Sequence, residues 1–314
     1  MRYPDYRPSS RRPSLYYETQ RVCIYCKTLT YSRDRVRLGD EHIIPEALGG
    51  NLVLPEASCG QCEALINRFE QPLLRSVFGP IRARYGFPSK RPKLRPKTVG
   101  VEFVVGENIV NEEVPVGHNP TLLVMRAFKP AGIFTGEDAV ERPLAARKMH
   151  VHCADTEMGQ EIVKRLGARG MQIGWPDNSD HQIALMVAKI AHSFAVAQLG
   201  INLDGFQALL PNTIRQVPGH LPVSYLVGCM GEPDPRAPRS SNEASHILRW
   251  FEYPLRDMYL LVVQVRLFES FNMPSYAAVV GSTSIENMKV MMMRERIKRL
   301  PTKSRQNKAA RLQN

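Results

Sequence analysis

Two pairs of cysteines and a glutamate–histidine dipeptide are the residues whose types and spacing could do chemistry. Cys23 and Cys26 form one Cys-x2-Cys pair, and Cys59 and Cys62 form a second. Each pair lets one tight turn present two thiolates, and two such turns complete the tetrahedral shell of a zinc ion. A four-cysteine shell keeps no open position, so the zinc it predicts is structural and any chemistry belongs to residues nearby. The stretch between the pairs, 27 to 58, is long for a plain zinc ribbon and must carry structure of its own. It holds Asp40, Glu41 and His42, then Pro45 and a Gly49-Gly50 turn. A carboxylate can hold a divalent cation while the imidazole beside it serves as a base near neutral pH. Taken alone, a histidine followed by Ile43-Ile44 is more often structural, so the reading of His42 rests on its neighbours.

A helix is predicted to start near Cys59. On it Glu63, Asn67 and Glu70 share one face at i, i+4 and i+7, while Leu65, Ile66, Phe69, Leu73 and Val77 make an apolar face fit to pack on a hairpin. Two oxygen donors one turn apart can complete a Mg²⁺ shell begun by Glu41. The plainer alternative is a solvated helix face.

The block as a whole resembles the zinc-containing branch of the HNH endonuclease family. The likeness rests on Cys23-Ile24-Tyr25-Cys26, then Glu41-His42-Ile43-Ile44-Pro45 with Gly49-Gly50, then Cys59-Gly60-Gln61-Cys62 with Asn67. It covers roughly 50 to 60 residues of the chain. It implies a ββα-metal fold in which a hairpin and a helix clamp one catalytic Mg²⁺ or Mn²⁺. It implies His42 as the general base and Glu41 as a metal ligand. The second ligand would come from the helix, where Glu63 follows the second cysteine pair directly and Asn67 lies one turn on. Asn51 is the asparagine between His42 and Cys59 that would orient the base. A zinc module that binds nucleic acid without cutting it is the competing reading.

The elements that position these residues sit in a basic chain. Its 314 residues carry a formal charge of +12 and are 43% hydrophobic, which fits a globular protein with a polyanionic partner, nucleic acid; the resemblance implies that this is DNA. No N-terminal stretch reads as a signal peptide and no uncharged apolar run reaches bilayer length, so neither secretion nor a membrane partner is expected. Four paired cysteines of six favour metal binding in a reducing compartment, the cytoplasm, over disulfides. Cys153 and Cys229 read as ordinary buried thiols.

The expected fold class is α+β, divided into five segments. Residues 1–20 read as a flexible basic arm and 21–88 as the nuclease domain. Residues 89–98 form a basic Pro-rich linker, 99–287 an α+β domain of unknown role, and 288–314 a basic tail with a short Met-rich helix. Arg75, Arg82, Arg84, Lys90, Arg91, Lys93, Arg95 and Lys97 follow the catalytic helix with no acid among them and are candidates for flanking phosphates. In the fourth segment, strands are predicted at 101–105, 121–128, 148–154, 221–228, 257–270 and 276–281. Helices are predicted at 155–170 and at 179–200, the second with an apolar stripe of Ile183, Val187, Ile190, Phe194 and Ala197.

Overall fold

The computed structural model describes residues 14–89, 93, 96–119, 121–144, 148–153, 157–172, 175–200, 205–230 and 246–289. The first part of the expected arm, the tail from 290 on, and Lys90, Arg91 and Arg95 lie outside the described residues.

The motif region is a small sheet followed by a helix. Strand β1 (Leu15–Tyr16) pairs parallel to β3 (Leu52–Ser58), which pairs antiparallel to β2 (Gly39–His42). Residues 15–20 fall within the arm expected to be flexible, yet the amides of Tyr17 and Gln20 donate to Val53 and Pro55. The β2–β3 ladder slips between Gly39, opposite Ser58, and Glu41, opposite Leu54. The extra residues on β3 include Glu56, which takes φ +50°; its amide is held by Asp40 Oδ1 at 3.1 Å. The glycine pair closes the hairpin for a steric reason. A Cβ on Gly50 would lie 2.1 Å from the Ile44 carbonyl oxygen, and Gly49 sits at φ +86°. Helix α1 (Gly60–Arg75) starts at Cys59 and buries Cys62, Ile66, Phe69, Leu73 and Leu74, together with Glu70. The short α2 (Gly79–Arg84) follows.

Beyond residue 96 the chain builds three further sheets among the described residues. Strand β4 (Thr98–Val105) pairs with β5 (Asn108–Pro115) and, across the sheet, with β8 (Gly170–Gln172). Strands β6 (Thr121–Ala127) and β7 (Lys148–Cys153) form a second sheet, with the short α3 (Gly132–Thr135) between them in sequence. Helix α4 (Glu157–Leu166) ends at Gly167, whose φ of +60° is the left-handed exit that glycine permits. It covers a minor core of Val101, Phe103 and Val114.

The third sheet is the main one. Helix α5 (Ser179–Leu199) leads to β9 (Gln207–Ala208), α6 (Leu210–Ile214), α7 (Val223–Leu226) and β10 (Val227–Cys229). Strands β11 (Ile247–Leu255), β12 (Met258–Arg266) and β13 (Tyr276–Ser284) complete it in the order β10-β13-β12-β11, with β9 on β13. Residues 260–263 of β12 and 276–280 of β13 are buried without alternation, as expected of strands covered on both faces.

Two further expectations change. The strand at 221–228 is a helical turn for its first half, because Val223, Leu226 and Val227 fall at i, i+3 and i+4 and all three are buried. Helix α5 is not striped but buried on every side from Ile183 to Val196, since it runs between α1 and the main sheet. It is long and apolar enough to cross a membrane by length and composition, and most of it is packed inside the protein. One continuous apolar core therefore runs from Ile24, Leu54 and Phe69 of the motif region through α5 to Val262 and Val279.

Candidate active site

The four cysteines come together from two places. Cys23 and Cys26 flank a tight turn in which the Lys27 amide donates to the Cys23 carbonyl, with Lys27 at φ +66°. Cys59 caps α1 and its Sγ accepts the Cys62 amide. All four sulfurs lie within 4.8 Å of one another, and Cys26 and Cys59 are 3.6 Å apart. A tetrahedron with metal–sulfur arms of about 2.3 Å has edges of about 3.8 Å, so the cluster can hold a metal ion such as zinc. Cys23, Cys59 and Cys62 are buried and Cys26 half-buried. A hydrogen bond from Cys62 pulls the Cys23 thiol down to about 4, and the same bond with burial pushes Cys62 up. A cation at the centre resolves that competition by drawing all four sulfurs toward thiolate. Among the described residues this is the only set of three or more Cys, His, Asp or Glu whose donor atoms converge in this way.

Beside the cluster, β2, α1 and α2 enclose a cleft of about 750 Å³. Glu41, His42, Glu63 and Asn67, the residues singled out in sequence, all line it. His42 is half-buried at the end of β2. Glu63 is exposed, and its Oε2 accepts the Tyr31 hydroxyl at 2.7 Å. Asn67 Oδ1 accepts from Gln71 Nε2 at 3.5 Å. Asn51 lies outside the lining; its backbone carbonyl accepts the Leu15 amide where β1 joins β3.

The basic residues divide. Arg75 is exposed on the cleft. Arg82 also lines it, but its guanidinium donates to the carbonyls of Ala47 and Leu74, so it braces the hairpin turn against α1. Arg84, Lys93 and Lys97 are exposed away from the cleft lining.

Glu41 has a partner that the motif does not contain. It is buried, and its Oε1 lies 2.6 Å from the Nζ of Lys189, which comes from the middle of α5 and is 2% exposed. The same amine lies 3.2 Å from Glu70 Oε1 and donates to the His42 carbonyl. Burial opposes the charge on Lys189, but Glu41 and Glu70 outweigh it and hold the amine above its ordinary value. Burial raises the Glu41 carboxyl, with Lys189 pulling the other way. Further α5 side chains reach the motif region, among them Gln198, whose Nε2 donates to the Tyr17 hydroxyl at 2.9 Å. His192 Nε2 pairs with the Ile24 carbonyl at 3.0 Å, and Ser193 Oγ with the Tyr25 hydroxyl at 3.0 Å. Lys189, His192 and Ser193 stand at i, i+3 and i+4, one face of the helix. The available signal for Lys189 was a single ammonium inside the apolar run from Ile183 to Val196, since a buried charge requires partners.

Comparison of the chain with protein-family models, with curated proteins and with solved structures returns no match.

Proposed function

We propose that the chain is a metal-dependent endonuclease of the HNH type, hydrolysing phosphodiester bonds in nucleic acid, with DNA the expected substrate. The observation that carries the reading is that His42, Glu41, Glu63 and Asn67 line one cleft, borne by a hairpin and the helix that follows it, beside a four-cysteine cluster. In this reading the cysteines hold structural zinc in the reducing cytoplasm, and the rest of the chemistry falls to the cleft.

Water is too weak an acid to attack a phosphodiester unaided, so neutral His42 takes its proton. Arg75 on the cleft wall binds a flanking phosphate. Glu41 with Asn67 or Glu63 would hold a Mg²⁺ or Mn²⁺, which would supply neutralisation of charge on the phosphate and on the leaving 3′ oxygen. The donor set suits such an ion. All three side chains offer oxygen, and Mg²⁺ takes one or two protein oxygens and keeps its remaining waters. The buried group around Glu41 also holds two carboxylates against one ammonium.

Nicking of supercoiled plasmid with Mg²⁺, with EDTA, and by His42→Ala tests the assignment. Losing the general base is expected to cost on the order of 10²–10⁴ in rate with DNA binding retained. Nicking at the wild-type rate by a clean His42→Ala preparation removes His42 from the mechanism. The second reading, a zinc module that binds nucleic acid without cutting it, draws on one observation: Glu41 already has a cation in Lys189. DNA binding with no nicking in Mg²⁺ or Mn²⁺ selects it.

A further inference from the structure

We infer that Lys189 is a positioning residue of this site, an ammonium that fixes Glu41 and the His42 backbone, so that the hydrolytic site is complete only when helix α5 is docked against it. The inference rests on the hydrolase reading above.

The geometry is unusual for a lysine that only fills space. An ammonium has three protons to give. Here four oxygens surround it: Glu41 Oε1 at 2.6 Å, Glu70 Oε1 at 3.2 Å, and the carbonyls of His42 and, at 3.5 Å, Ile43. Those oxygens belong to β2 and the residue after it, and to α1, the two elements that carry the candidate base and the candidate helix ligands. One amine from a third element therefore ties both walls of the cleft together. Binding the His42 carbonyl fixes the backbone from which the imidazole projects, and binding Glu41 fixes the carboxylate beside it.

Helix α5 also meets the first cysteine turn: Ser193 Oγ lies 3.0 Å from the Tyr25 hydroxyl. Lys189 is 2% exposed, so it does not itself meet a nucleic acid in the cleft. A residue that acts in this way changes turnover and leaves substrate affinity alone.

Three full-length, zinc-loaded variants test the inference. Lys189→Gln removes the charge. The double variant Lys189→Met/Glu70→Leu removes the ammonium and one carboxylate together, so the buried group keeps its net charge. Ile190→Ala truncates the next residue of the same helix, a core side chain with no part in the site. Plasmid nicking is followed against plasmid concentration, and amide hydrogen exchange of residues 39–44 is read by mass spectrometry.

The expected result is a fall in kcat of about 10²-fold, the usual cost of a misplacement near 1 Å, in whichever ammonium-free variant folds. KM should stay within about twofold, and exchange in 39–44 should be faster. Ile190→Ala should show neither change. Wild-type kcat in a folded ammonium-free variant overturns the inference, as does an equal fall in Ile190→Ala. Failure of both ammonium-free variants to fold makes Lys189 a stability residue and overturns it too. If the wild type nicks nothing, the hydrolase reading fails and the exchange measurement decides alone. Faster exchange confined to the ammonium-free variants then leaves Lys189 as what holds the hairpin, and unchanged exchange removes that role.

Discussion

Residues 14–89 and residues 96–289 are held together by different forces. The second region has what a sheet domain needs: consecutive buried strands in β12 and β13 and a helix packed against them. The first has three strands, two of them a hairpin, the helices α1 and α2 and a four-cysteine cluster, and it carries the buried Glu41 and Glu70. Its apolar side chains belong to a core shared with the second region, so it depends on docking, and its cysteine cluster could add metal binding to that. The docking is polar where it matters. Lys189, His192 and Ser193 project from the otherwise apolar stretch 183–196 of α5 onto Glu41, the Ile24 carbonyl and Tyr25. The difference teaches that chemistry-bearing residues can be concentrated in one region while the groups that hold them come from the other.

The largest expected effect breaks the comparison at the cluster. Structural zinc contributes on the order of 10–16 kcal/mol in small metal-dependent units. Cys59→Ser is therefore expected to release the metal and unfold residues 21–75, while the main sheet persists. Metal content and limited proteolysis check this. A metal-free protein whose motif region remains protease-resistant would show that docking alone suffices.

A smaller effect tests the join between the regions. Burial holds the His192 imidazole down at about 4, the Ile24 carbonyl opposes this, and nearby Lys27 adds to it. The folded value lies below the ordinary 6.5, so between the two it is the unfolded chain that binds the extra proton. Stability from this residue is complete above about pH 6.5 and declines as the pH falls toward 4. The expected loss between pH 7 and pH 5 is about 2 kcal/mol. Urea unfolding at both pH values should show that loss in the wild type and not in His192→Gln. Equal slopes in the two proteins would remove His192 from the acid response.

The smallest effect sharpens the picture inside the cleft. Asn67 accepts from Gln71 and Glu63 from Tyr31, and either can instead serve a cation. If Asn67 is the ligand, Asn67→Ala should raise the Mg²⁺ needed for half-maximal nicking by about tenfold, on the order of 1.4 kcal/mol, with Glu63→Gln milder. The reverse order assigns Glu63. No shift in either variant means the helix supplies no ligand.

Much of the site was legible before any coordinates. Two Cys-x2-Cys pairs carry their own geometry, because a tight turn fixes where two thiolates go. The helix face of Glu63, Asn67 and Glu70 followed from a period of 3.6, although burial separates Glu70 from the other two. Other features were not legible. β11, Ile247–Leu255, has mixed burial and a proline at 254, so it lacks a clean alternation and becomes a strand by pairing with β12. The segment at 221–228 fits both periods over so short a span, and packing chose the helical turn for its first half.

The sequence by itself determined which residues can do chemistry, the four-cysteine pattern, the glycine pair at a turn, and the long helix from 179 to 199, since spacing and backbone sterics act locally. Only the tertiary structure decided that this helix is buried on all sides, that its lone lysine meets Glu41, Glu70 and the His42 carbonyl, and that one core joins both regions. Residues 41 and 189 are far apart in sequence, and no local period connects them. What brings them together is the burial of apolar surface on either side of α5, after which a charge left inside must find its partners.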